Sequence, residues 1–246
     1  MRIQSAKIVS EALNYGFFGR SGGKSNGCYA LLNCSRFVGD DDELVKQNLN
    51  LVREELLADR LVTLNQVHSD RCIIVDDRTA VDSAADAMVS KAKGIAIGVL
   101  TADCAPVLLF DHKKGVIGAA HAGWKGAVTG VLGATVQKMT ELGSDPADIV
   151  AAIGPCITVE NYEIDEDFRH NFKGNDDCFH MINSKLHFNL PTYCCNRLTE
   201  AGLDKKNIDI MNIDTYSNQE NYFSYRFANQ HTSGVCGRCL SAICLR

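Results

Sequence analysis

Apolar positions in this chain of 246 residues follow two regimes. In its middle they run almost unbroken. Gly94-Ile-Ala-Ile-Gly-Val-Leu100, Pro106-Val-Leu-Leu-Phe110 and Gly115-Val-Ile-Gly-Ala-Ala120 predict three successive strands with both faces covered. After Gly126 the period lengthens, and Val128, Val131, Leu132, Thr135, Val136 and Met139 form one helical stripe ending near Gly143. Ile149 to Ile153 returns to strand. Earlier, Leu61-Val-Thr-Leu-Asn-Gln-Val67 and Cys72-Ile-Ile-Val75 flank His68-Ser-Asp-Arg71, which reads as a hairpin or tight connection. A later helix starts beside Asn189-Leu-Pro191, with asparagine capping and proline in the first turn, and closes at Gly202. Tyr222-Phe-Ser-Tyr225 and Cys239 to Leu245 read as strand. The pattern is that of an α+β (mixed α/β) chain with many strands, not a simple doubly wound one.

Composition adds few constraints. With 46% apolar and 22% charged residues the chain can bury a substantial core. It has four prolines, no Pro/Ser-rich linker, no charge block and no internal repeat, so one domain over residues 1–246 is expected. The 25 basic against 30 acidic residues give a formal charge of −5, which leaves no electrostatic footprint for nucleic acid. Met1-Arg-Ile-Gln-Ser-Ala6 lacks the apolar stretch of a signal peptide and no run reaches membrane-spanning length; a cytoplasmic protein is expected. In that compartment eleven scattered cysteines read as reduced thiols, several of them core packing, not as a disulfide framework. Cys236-Gly-Arg-Cys239 has CxxC spacing, but no second CxxC or nearby histidine pair completes a four-ligand metal site.

Three segments stand out chemically: Asn65-Gln-Val-His-Ser-Asp70, Thr101-Ala-Asp-Cys-Ala-Pro106 and Ala119-Ala-His-Ala-Gly-Trp-Lys-Gly126. Each places one soft or borderline ligand, His68, Cys104 or His121, at or near the end of an apolar run. Taken singly each reads as a turn or core residue. Together, two imidazoles and a thiolate make a three-ligand set for catalytic zinc, with the fourth position open. Asp103 beside Cys104 is a carboxylate that no core requires, and the glycines around Trp124 permit close backbone approach. The loop from Ala122 to Gly126 leads into a predicted helix, whose amino terminus and Lys125 would suit phosphate. No Walker A or GxGxxG sequence accompanies it. His112, His170, His180, His187 and His231 sit in polar surroundings and are expected at the surface.

Further ordered motifs are Arg20-Ser-Gly-Gly-Lys-Ser-Asn-Gly27, Val38-Gly-Asp-Asp-Asp42, Ile153-Gly-Pro-Cys156, Phe223-Ser-Tyr-Arg226 and Gly237-Arg238. With the three segments above, they make the chain resemble, over nearly its whole length, the bacterial laccase-domain family. That family was once labelled multicopper polyphenol oxidases and is now described as purine nucleoside phosphorylases. The resemblance implies a layered α/β/β/α fold with mixed sheets, like the catalytic domain of cytotoxic necrotizing factor. It implies zinc at His68, Cys104 and His121, with purine nucleosides and phosphate as partners, and neither nucleic acid nor membrane. The implied activity is phosphorolysis of adenosine, inosine, guanosine and methylthioadenosine, with adenosine deamination beside it. Cys104, His121 and Asp103 would be catalytic, Asp103 as proton carrier or support for the metal. Arg20, Gln66, Lys125 and Arg238 would bind substrate, Arg20 and Lys125 as phosphate clamps.

This chain departs from the family pattern in three places. Lys125 stands where arginine is common, Ser69 replaces a usual glycine, and Phe227 to Val235 lacks the usual arginine-rich wording. Seven histidines with no His-x-His pair are too few for a multicopper oxidase, which needs about ten imidazoles and a cysteine. Copper at the same three-ligand site stays open. So do two rivals: a metal-free Cys104–His121 dyad or hydrolase that edits a cell-wall peptide precursor, and a zinc-dependent binding protein. The sequence leaves oligomeric state open.

Overall fold

The structure, a computed structural model, describes residues 2–172 and 174–246. Two sheets dominate it. The first has the order β1 (Arg2–Ile3), β2 (Leu13–Phe18), β15 (Cys239–Leu245), β8 (Ile95–Thr101) and β3 (Arg60–Val62). The second runs β14 (Ile208–Ile210), β11 (Val150–Ile153), β9 (Ala105–Asp111), β10 (Val116–Ala122), β7 (Ala87–Ser90) and β5 (Cys72–Ile74). Both are mixed: β15 pairs antiparallel with β2 and β8, while β3 joins β8 and β5 joins β7 in parallel.

Side-chain alternation explains the unbroken apolar runs. In β8, Ile97 and Val99 point into the layer between the sheets, while Ala96 and Leu100 point out beneath α1 (Asp42–Glu55). In β9, Leu108 and Phe110 face the first sheet, and Val107 and Leu109 face the helices on the other side. β10 divides likewise, with Ile117 and Ala119 inward and Val116, Ala120 and Ala122 outward. A strand covered on both faces has no polar positions to show.

The helices close the outer faces. α1 is capped by Asp41, which accepts from the backbone of Glu43 and Leu44, and it lays Val45, Leu49 and Val52 on the first sheet. On the second lie α3 (Val131–Glu141) and α5 (Leu190–Glu200), the latter capped by Asn189 through the Thr192 N–H. The layering is α/β/β/α, as expected. Short elements complete it: β4 (Leu64–Asn65) with β6 (Ser83–Ala84), the hairpin β12 (Phe179–Ile182) and β13 (Lys185–Phe188), and α4 (Glu166–Arg169). Among the described residues no helix is long and apolar enough to cross a membrane.

Four local expectations need correction. The runs around His68 are not a hairpin, because β3 belongs to the first sheet and β5 to the second, so residues 66–71 pass from one sheet to the other. The predicted single helix after Gly126 is two, α2 (Trp124–Thr129) and α3, broken where Gly130 takes a left-handed φ of 112°. Tyr222–Tyr225 is not a strand: Ser224 Oγ accepts from the Phe227 N–H and caps α6 (Tyr225–His231). His187 is buried, its Nδ1 2.7 Å from the Val159 carbonyl oxygen, and so is not a surface residue.

Candidate metal centre and active site

Two of the ligands come from connections between strands and the third from a strand of the second sheet. His68 lies on the crossing between β4 and β5, Cys104 between β8 and β9, and His121 within β10. Their ligand atoms all lie within 4.8 Å of one another, with Cys104 Sγ 4.0 Å from His68 Nε2. The two imidazole rings meet edge to face, 4.8 Å between centroids. Gly123 makes room: a Cβ there would stand 2.9 Å from Cys104 Sγ and 3.0 Å from His68 Cδ2. Among the described residues this is the one cluster of three or more such ligands.

A residue that sequence reasoning missed organises the cluster. Asp86, fully buried, accepts from the backbone N–H of Val67, His68 and Ser69, from Ser69 Oγ, and faces His121 Nδ1 at 2.8 Å. It therefore fixes His121 with Nε2 free for a ligand, and holds His68 at a left-handed φ of 59°. The signal was present: a carboxylate within Ala84-Ala-Asp-Ala-Met-Val89 must find partners when that apolar run is buried. Asp103, considered as support for the metal, does not fill that role. Its Oδ1 accepts from Thr215 Oγ1 at 2.7 Å and its Oδ2 from the Arg226 N–H at 2.6 Å.

Electrostatics favour a thiolate beside an imidazolium. Burial raises the Cys104 thiol, but the charge of His121 and hydrogen bonds from both histidines outweigh it and bring the group down to about 6. Burial lowers His121, but Cys104 and Asp86 lift it to about 9. For Asp86 burial raises the carboxyl, and hydrogen bonds from His121 and Ser69 bring it down to about 2. A half-buried anionic sulfur next to two imidazoles is a donor set suited to a borderline divalent ion.

Two cavities meet at this cluster. The larger, about 450 Å³, is lined by His68, Cys104 and His121 together with Gln66, Tyr225 and Arg238. The smaller, about 300 Å³, shares His68, Cys104 and Tyr225 and adds Asp103, Trp124 and Tyr162. Of the expected substrate residues, Gln66 and Arg238 reach the first cavity, although the Gln66 amide is occupied at both ends by the Leu100 backbone, 2.7 Å each way.

Arg20 and Lys125 reach neither cavity. Arg20 turns its guanidinium to the carbonyls of Ala30 and Gln219 and lies over the Phe223 ring, so its donors are spent within the fold. Lys125 is exposed on α2. Neither residue lines the two cavities that meet the cluster. Cys236 and Cys239 are buried free thiols, and among the described residues they belong to no cluster of three metal-ligating groups.

A family profile described as multi-copper polyphenol oxidoreductase laccase matches residues 14–246. A protein named purine nucleoside phosphorylase from Rickettsia conorii is 31% identical over 97% of this chain and 99% of its own length. Another of that name from Streptomyces coelicolor is 45% identical over 63% of this chain, a match that spans 66% of the Streptomyces protein. Among solved structures, YlmD from Geobacillus stearothermophilus superposes with a TM-score of 0.89 at 26% identity, covering 98% of this chain and 94% of that one. A Neisseria meningitidis protein gives 0.87 at 27% identity, covering 100% and 98%. With its profile match running from Leu13's neighbour Asn14 to the final Arg246, the chain belongs to this laccase-like family.

Proposed function

We propose that the chain is a zinc-dependent purine nucleoside phosphorylase that accepts adenosine, inosine, guanosine and methylthioadenosine and also deaminates adenosine. The observation that carries the reading is the His68–Cys104–His121 cluster open to a cavity, in a chain matched almost end to end by a protein named purine nucleoside phosphorylase. Copper chemistry of the laccase kind would need further clusters, and the described residues hold one.

Zinc, when bound, supplies a Lewis acid for the oxygen nucleophile. Phosphorolysis breaks the bond between the anomeric carbon and the purine nitrogen and forms one from that carbon to a phosphate oxygen. The bond pair leaves with the purine, which also gains the proton of hydrogen phosphate. Deamination exchanges the purine amino group for a water oxygen and releases ammonia. In both, Asp86 holds the His121 ring in place. Arg238 offers a cation to the larger cavity. Burial, the largest influence on Asp103, raises its carboxyl above the ordinary value, which suits a group that carries a proton.

The test pairs metal analysis with turnover. Freshly purified protein should hold about one zinc per chain and cleave inosine only when phosphate is present. Cys104→Ala should lose the metal and both activities. Full activity after exhaustive chelation would overturn the reading in favour of a metal-free Cys104–His121 pair.

A further inference from the structure

Two cavities share the edge of one ligand cluster, and their walls differ in kind. The larger is polar around Arg238: its guanidinium spends Nη1 on the carbonyls of Cys236 and Gly237, at 2.7 and 3.0 Å. Among the described residues its Nε and Nη2 donate to no partner, and the ring of Tyr225 lies 5.8 Å from its centre. The smaller cavity is walled by Trp124, Ile157, Tyr162 and Leu190, with Asn229, the Asp103 carboxyl and Arg226 as polar edges, the Arg226 guanidinium lying over the Tyr162 ring at 5.3 Å and donating Nη1 to the Glu163 carbonyl. Tyr225 belongs to both walls.

We propose that the two cavities divide the substrates: the smaller takes the purine base and the larger takes phosphate against Arg238. This deepens the phosphorylase reading and rests on it. A displacement at the anomeric carbon brings its nucleophile to the face opposite the leaving group, so base and phosphate need separate rooms that meet at the reacting atom. A flat, weakly polar base gains from aromatic and aliphatic walls with a few polar edge contacts. A phosphate dianion gains from two free guanidinium donors in a fork, as on Arg238, whereas in the smaller chamber the charge of Arg226 already faces the Asp103 carboxyl. The chamber of about 300 Å³ is at the lower end of the range for small-molecule pockets, as a single base requires.

Trp124 makes the division directly readable, because it is the only tryptophan in the chain. Zinc-loaded protein titrated with inosine or hypoxanthine should show saturable quenching of tryptophan emission, and inorganic phosphate alone should leave the emission unchanged. Arg238→Met should raise the KM for phosphate by about ten- to a hundredfold, as for one lost charge-assisted contact, with the inosine titration unchanged. Asn229→Arg, on an exposed position of α6, should weaken inosine in the emission titration at least tenfold and leave the KM for phosphate unaltered. Inosine binding seen by calorimetry without any change in emission would overturn the division while sparing the phosphorylase reading. So would a loss in Arg238→Met confined to inosine. Absence of nucleoside binding altogether would overturn both.

Discussion

The chemistry of this site is set by one carboxylate that supports the ligands without being one. Asp86 takes three backbone N–H groups, a serine hydroxyl and an imidazole, so it places His68 and His121 together. Asparagine there would present an amide donor to groups that are themselves donors. Asp86→Asn should lower zinc affinity by about ten- to a hundredfold and destabilise the metal-free protein by about 3–5 kcal/mol, read by competition with a chelator and by urea unfolding. Unchanged affinity would mean that His121 is held by other contacts.

The same residues give the metal-free protein a defined pH response. A thiol lowered in the folded state stabilises it above the unfolded value of about 8.5, and that contribution is lost as pH falls through about 6. An imidazole raised by its partners stabilises below about 6.5 and loses that contribution as pH rises through about 9. The thiolate–imidazolium pair therefore persists from about pH 6 to about pH 9. Alkylation of Cys104 by iodoacetamide in metal-free protein should be half-maximal near pH 6, level above it, and suppressed by zinc. A rate still climbing through pH 8.5 would show an ordinary thiol.

Single residues were legible in the sequence where the chemistry was local. His68, Cys104 and His121 announce themselves by type and flank, and the structure brings their ligand atoms within 4.8 Å of one another. Asp86 lies 18 residues from His68 and 35 from His121, so only the fold makes it their neighbour. Arg20 and Lys125 show the opposite case, since both flank motifs and neither lines the two cavities. A charge near a motif says nothing about where its side chain points.

At the scale of elements, the strands were legible because burial on both faces removes polar positions altogether, and β8, β9 and β10 fall where the apolar runs do. Pairing was not legible, since β8 and β9 are sequence neighbours on different sheets. The break between α2 and α3 was hidden by a stripe that stays in phase across it. Gly130, at a φ of 112°, ends α2. Gly133 sits inside α3 with open space where a Cβ would be. The two should respond oppositely to alanine in urea unfolding. Gly130→Ala should cost about 1–2 kcal/mol for the left-handed backbone, and Gly133→Ala should gain about 0.5–1 kcal/mol of helix stability. Equal effects would show that propensity alone governs this segment.

For the molecule as a whole, the metal centre takes Cys104 from the link between β8 of the first sheet and β9 of the second, and His121 from β10 of the second, so its geometry depends on how the sheets are packed. Leu108 is fully buried in the layer between them, among Ile97 and Ile243 of the first sheet and Ile117 of the second. Leu108→Ala would leave a cavity there, at a cost of about 2–5 kcal/mol. The cluster it weakens spans both sheets and couples their unfolding, although each sheet also packs its outer face on helices. Thermal unfolding of the variant should remain one transition at lower Tm, with calorimetric and van't Hoff enthalpies in agreement. Zinc binds the folded state and raises Tm by mass action, so the Tm difference between zinc-loaded and metal-free protein should survive in Leu108→Ala, with the metal stoichiometry unchanged. Two separated transitions, only one of them responding to zinc, would show that the sheets unfold independently and that the site belongs to one of them alone.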